Sequence, residues 1–204
     1  MTVPIPDDYL VEVTAEGSSL HEYLYIGGPI ERPEQNQEIL LAIGHAAASW
    51  ARMEQHLDGI LQHINKEAHS GNLNLFDPDH PRPFGAKLRL LKSYFNKHPA
   101  LSAYRETVQD FICGLKKLAP VRNEIMHSVL ENYDSQTRRY TINGVVYQKA
   151  SNDFRHRRRD APIENILSFT RLVNLAHYGL CEVSKELFTP DGAAKLRRPS
   201  TPIS

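Results

Sequence analysis

The run Arg122-Asn123-Glu124-Ile125-Met126-His127 combines the side chains of this sequence best able to do chemistry. Histidine titrates near neutrality and can take or give a proton. Arginine presents a planar fork that matches a phosphate and steadies negative charge building on phosphorus. Asparagine can orient either the imidazole or the phosphate. At about 100° per residue on a helix, Asn123 and His127 lie one turn apart and face nearly the same way. Arg122 starts about 140° round from His127, but its stem is long enough to swing the guanidinium back. RNA cleavage by its own 2′-hydroxyl needs these functions and no metal: a proton leaves the hydroxyl, pentacoordinate phosphorus is stabilised, and the leaving oxygen gains a proton. One histidine is few for that work. Two copies of the run across a two-fold axis would put two histidines and two arginines in one cleft. The plain alternative is a solvated helix face with a capping interaction.

The elements that position this run read as helices. From about Pro33 to Ala68, Ile43, Ala47, Trp50, Leu57, Leu61 and Ile64 recur in steps of three and four, one amphipathic stripe with Glu54 in its missing place. A buried carboxylate is expensive unless paired. Arg122 falls on its own stripe between Leu118 and Ile125, which makes it a natural partner for Glu54; the alternative is a glutamate reaching solvent at the edge of the seam. Residues 69–83, with four glycine or proline positions, read as a loop. A shorter helix carries Phe84, Leu88, Leu91 and Phe95 and stops at His98-Pro99. A third begins near Leu101 with Tyr104, Val108, Phe111, Leu115 and Leu118, and Pro120 either kinks it or starts it afresh. A fourth long helix runs from about Pro162 to Leu187 on Ile166, Phe169, Val173, Ala176, Leu180 and Val183.

Between the last two long helices the period changes. Arg138 to Ile142, then Asn143-Gly144, then Val145 to Gln148 predicts a hairpin turning at Asn-Gly. The expected fold is all-α: a four- to five-helix antiparallel bundle over 36–188, with a β-hairpin insert at 137–160. An N-terminal arm covers 1–35, and a polar, basic tail over 189–204 reads as disordered.

The insert is basic. Arg138, Arg139, Lys149, Arg155, Arg157, Arg158 and Arg159 stand against Asp153 and Asp160, a local surplus of five. Tyr140, Tyr147 and Phe154 are interleaved, and rings of this kind stack on unpaired bases. Arg138, Arg139, Arg155, Arg157, Arg158 and Arg159 are therefore candidate RNA-binding residues beside the Arg-to-His run. The alternative is a solvated charge run, or one paired with acidic residues of the arm.

The 204 residues, 41% hydrophobic and 24% charged, are those of an ordinary globular chain of one or two domains. Basic and acidic residues are equal at 24 each, which disfavours indiscriminate coating of nucleic acid. Two cysteines supply no disulfide framework, and a reducing, cytoplasmic setting is expected. No signal peptide or membrane-spanning run is visible, so no membrane partner is expected. Among ten histidines, His56 and His63 lie seven apart on the first helix, but no pattern completes a site; metal ligands and cofactors are expected to be none.

The Arg122-to-His127 run resembles the hallmark of the HEPN domains: Arg, four to six residues, then His, often with a polar residue after the Arg, late in a helix of a compact bundle. Glu54 looks like the acidic residue that often accompanies it. The resemblance extends loosely from about Gln37 to Leu187, with only the short run specific, and the insert and the arm depart from the plain bundle. It implies a homodimer along the motif face and a metal-independent endoribonuclease, a toxin, phage-defence or RNA-processing enzyme, with RNA as substrate and a cognate antitoxin protein as a possible partner. In that reading His127 is the acid/base, Arg122 the phosphate clamp, Asn123 the orienter, and Glu54 positions Arg122. Some HEPN bundles instead serve as silent modules that bind a protein or nucleotide, and a purely structural helical adaptor is the third reading.

Overall fold

The computed structural model describes residues 36–70, 83–148 and 153–197, with the backbone alone given for 146–148 and 153–156. The expected N-terminal arm and the end of the tail lie outside these residues. The elements are α1 (Gln37–Ser70), α2 (Phe84–Lys97), a 3-10 helix (Pro99–Tyr104), α3 (Arg105–His127), β1 (Val129–Asp134), β2 (Arg139–Gln148), β3 (Asp153–Pro162), α4 (Glu164–Leu187) and α5 (Pro190–Arg197). The protein is therefore mostly helical with one small antiparallel sheet. No described helix is long and apolar enough to cross a membrane.

The chain divides into two compact units. The first comprises 49–117 and 172–197 among the described residues and is wholly helical. Its core is built from Met53, Leu57, Ile60, Leu61 and Ile64 of α1, Leu88, Leu91, Tyr94 and Phe95 of α2, Leu101, Ile112 and Leu115, and Val173 and Leu180 of α4, all buried. His98 ends α2 and turns the chain into the 3-10 helix, accepting a bond from Ala100 N at 3.2 Å, while Pro99 cannot continue the preceding helix. His98 Nε2 also meets the Leu196 carbonyl at 2.9 Å, and Leu196 is buried. The tail is thus not disordered over 190–197. Thr189 caps α5 through Gly192 N at 3.0 Å, and Arg197 pairs with buried Glu67 at 2.5 Å.

The second unit comprises 36–48 and 118–171 among the described residues. It holds the start of α1, the end of α3, the sheet and the start of α4. The insert is a three-stranded sheet in the order β1-β2-β3, and Asn143-Gly144 is not its turn. Those two residues sit inside β2, where Asn143 pairs Val129 and Arg158 while Gly144 pairs Arg157. Glycine suits a close approach here: a Cβ on Gly144 would stand 2.7 Å from Ser128 Oγ. The β1–β2 turn comes earlier. Asp134 accepts from Gln136 N at 2.9 Å and from the Thr137 hydroxyl at 2.6 Å, and Arg138 completes the reversal with φ 54°. Tyr140, Ile142, Arg159 and Ala161 are buried. Helix α3 continues through Pro120.

Candidate functional site

The last turns of α3 carry the Arg-to-His run. Leu118, Val121 and Ile125 take the buried positions, so Arg122 stands beside the seam and not on it. Its guanidinium swings back as its length allows. Nη1 donates to Asn123 Oδ1 at 3.0 Å and lies 3.3 Å from His127 Nε2. An arginine N–H only donates, so His127 Nε2 is the accepting nitrogen and the ring proton sits on Nδ1. Asn123 and His127 are exposed. The structure thus brings together three of the four residues that sequence offers as a catalytic group.

Glu54 has other partners. Met53, fully buried, takes the place on the α1 stripe that periodicity leaves to Glu54, and Glu54 moves to its edge. Its carboxylate accepts from Trp50 Nε1 at 3.1 Å and from Lys87 Nζ at 2.9 Å. Lys87 also donates to Asp58 at 2.8 Å. Burial works against the charged form of Lys87, but the bonds to Asp58 and Glu54 outweigh it and push its pKa above the ordinary lysine value. Lys87 is therefore a cation that sustains the Glu54 carboxylate.

The candidate RNA-binding arginines are engaged within the sheet and its neighbours. Arg138 pairs with Glu38 at 2.8 Å and with Glu164 at 2.6 Å. Glu38 also accepts from the Tyr133 hydroxyl, and the bonds from Tyr133 and Arg138 hold its carboxyl below the usual range. Arg139 pairs with Asp160 at 2.7 Å, and Arg158 with Glu131 at 2.9 Å. Glu131 also accepts from Asn143 Nδ2 at 3.0 Å. Arg157 is likewise engaged. Arg138, Arg139 and Arg158 keep about half of their side chains in solvent. Arg159 does not. It is 7% exposed and paired with Glu124, the third residue of the Arg-to-His run, so it offers no surface to a nucleic-acid strand. The Arg155 side chain lies outside the described residues.

A second cluster escapes the sequence reading. His56 of α1 meets His177 and Cys181 of α4, with the His56 and His177 rings nearly perpendicular at 5.2 Å between centroids. Burial, then the neighbouring His177, lowers the His56 pKa; burial, then Arg52, lowers that of His177. His63, the other histidine singled out on α1, instead bonds the Leu187 carbonyl at 2.9 Å and packs on Phe188. The available signal was the spacing of His177 and Cys181, four apart and so on one helix face.

Comparison of the chain with models of protein families, with curated proteins and with solved structures finds no match in any of the three.

Proposed function

We propose that this chain is an endoribonuclease of HEPN type that cleaves RNA without a metal, at a cleft shared by two copies. The observation that carries the reading is the Arg122–His127 pair, 3.3 Å apart with Asn123 at 3.0 Å, at the exposed end of α3. When a strand binds, Arg122 leaves His127 Nε2 for the phosphate, and the freed nitrogen takes the proton from a ribose 2′-hydroxyl. The freed oxygen attacks phosphorus and the bond to the 5′-oxygen breaks, leaving a 2′,3′-cyclic phosphate. Arg122 lays its fork on the non-bridging oxygens as charge builds there, and Asn123 fixes the guanidinium. The second copy's imidazole, carrying a proton, returns one to the departing 5′-oxygen. The half-exposed Arg138, Arg139 and Arg158 would exchange carboxylate partners for backbone phosphates, because ion pairs at a solvated surface are weak. A cytoplasmic toxin or phage-defence effector held by an antitoxin protein is the setting this activity fits.

A second reading has its own support. With Arg138, Arg139, Arg158 and Arg159 all matched by carboxylates, the insert carries less free positive charge than its composition promises. A silent module that binds a protein or a nucleotide at the α3 face follows from that.

Incubation with total RNA in EDTA separates the two. Cleavage to cyclic-phosphate ends, abolished in His127→Ala, supports the nuclease; binding without cleavage supports the module. Light scattering on the same sample reports the dimer, and an active monomer would remove the shared cleft.

A further inference from the structure

We propose that His56, His177 and Cys181 form a zinc site with two imidazoles, one thiolate and a fourth position open to water. The ligand atoms of the three side chains all lie within 4.8 Å of one another. His56 Nδ1 is 3.5 Å from Cys181 Sγ, and His177 Nε2 is 3.8 Å from it. A tetrahedral zinc with Zn–S of about 2.3 Å and Zn–N of about 2.0–2.1 Å requires S···N separations of about 3.5 Å. The sulfur–nitrogen edges are therefore close to bonding size before any ion arrives.

Protonation follows from the neighbouring hydroxyl. Ser184 Oγ donates its single proton to the Cys181 carbonyl at 3.0 Å. Its contact with His56 Nε2, also 3.0 Å, must then be one in which Ser184 accepts. His56 carries its proton on Nε2 and presents the bare Nδ1 lone pair on the side of Cys181. Metal-bound imidazoles have this arrangement, the far N–H being held by an oxygen that sets the tautomer and the ring's orientation.

Without a metal, the bare Nδ1 of His56 faces the Cys181 sulfur at 3.5 Å, and His177 Nε2 lies against the same sulfur at 3.8 Å. A divalent ion satisfies both and takes the thiolate as well. Imidazole with thiolate is a donor set for zinc, not for magnesium or calcium, which take oxygen ligands. His177 and Cys181 come from one face of α4 and His56 from α1, so a bound ion would join these two helices within the first unit. The three side chains are half-buried, which leaves room for a water in the fourth position. The cluster shares no residue with the RNA-cleavage reading and stands or falls separately from it.

The test uses the full chain, stripped with chelator and titrated with cobalt(II). One equivalent should bind with the intense visible bands of four-coordinate cobalt and a near-ultraviolet thiolate-to-metal band, and zinc should displace it. Cys113→Ser should keep the near-ultraviolet band and Cys181→Ser should lose it. Ser184→Ala should keep the band while weakening affinity by about 10–100-fold. Zinc at about 100-fold over its Kd should raise Tm by about 5–10 °C. Absence of stoichiometric uptake overturns the site. So does uptake that is equal in wild type, Cys181→Ser and His177→Gln, which assigns the metal to other histidines. Should a variant fail to fold, the wild-type and Cys113→Ser spectra decide alone, because a band lost with Cys113 also overturns it.

Discussion

Glu124 and Arg159 form an ion pair that neither partner exposes: 12% and 7% of their side chains reach solvent. Glu124 belongs to the Arg-to-His run and Arg159 to β3, so the backbone that carries the catalytic candidates is moored to the sheet. Arg159 Nε and Nη2 are buried with no hydrogen-bond partner among the described residues, which makes this guanidinium depend heavily on one carboxylate. Removing one member of such a pair strands a charge, at about 3–5 kcal/mol, whereas replacing both with apolar groups costs far less. Glu124→Ala should lower stability by that amount in urea denaturation, and Glu124→Leu with Arg159→Met should recover most of it. An equal loss in both would show that volume matters here and charge does not.

Lys87 should matter more than its type suggests. It is 8% exposed and serves two carboxylates, Glu54 and Asp58, which are 23% and 27% exposed. Lys87→Met takes away the cation shared by two like charges one turn apart on α1, but both still reach some water, so we expect a loss of about 1–3 kcal/mol. Adding Glu54→Gln and Asp58→Asn to Lys87→Met should restore part of it, and the restoration is the measurement that identifies charge as the cause.

Tyr140 gives a prediction in alkali. Burial, and then the nearby Glu124 carboxylate, pushes its phenol up to about 12. The folded state therefore keeps this proton where the unfolded state, near pH 10, has lost it. Its contribution is fully present below pH 10 and disappears as pH rises from there through about 12, a loss of about 2–3 kcal/mol. The stability difference between wild type and Tyr140→Phe should change by that amount between pH 9 and 12; a constant difference would mean that the ring is wet.

Gly192 should not tolerate a side chain. A Cβ there would lie 2.2 Å from the Glu186 carbonyl oxygen and 2.9 Å from that of Leu187, and backbone cannot step aside. Gly192→Ala should undock α5, forfeiting the burial of Leu196, about 1.5–3 kcal/mol, and the Arg197–Glu67 pair. Trypsin should then cut after Lys195 at a protein concentration and time that leave wild type intact.

Arg122→Lys keeps the charge and loses the fork. If the fork holds the transition state, RNA cleavage falls by about 10²–10³-fold while RNA affinity changes by less than tenfold. Full activity in this variant would assign Arg122 to binding alone.

The helices were legible from periodicity, yet two seam positions went to the wrong neighbour for a single physical reason. A helical stripe advances by three or four residues, so position 50 can be followed by 53 or 54, and position 118 by 121 or 122. Placing Glu54 and Arg122 on their stripes makes each a natural partner for the other, with a glutamate at the edge of the seam as the alternative. The structure takes Met53 and Val121, which bury without cost, and leaves both charged residues at the edge with partners of their own. The turn at Asn143-Gly144 misled for a related reason: that dipeptide favours a hairpin turn only if the strand has somewhere to reverse. Here Asp134 and Thr137 had already supplied the reversal, leaving Gly144 to pass over Ser128. The His56–His177–Cys181 cluster joins residues more than a hundred positions apart, and no spacing rule on one helix reveals such a meeting.

The order β1-β2-β3 leaves ten-residue β3 as an edge strand among the described residues, with a free row of amide and carbonyl groups along its outer side. Such a row invites a strand from another molecule to add to it, the first step of aggregation, and charged side chains are a common deterrent. Arg157 and Arg158, neither of them buried, lie along this strand. Whatever they do for a nucleic acid, their charge on this edge also serves solubility, and replacing Arg157 and Arg158 with threonine would convert the border of the sheet into a site of self-association.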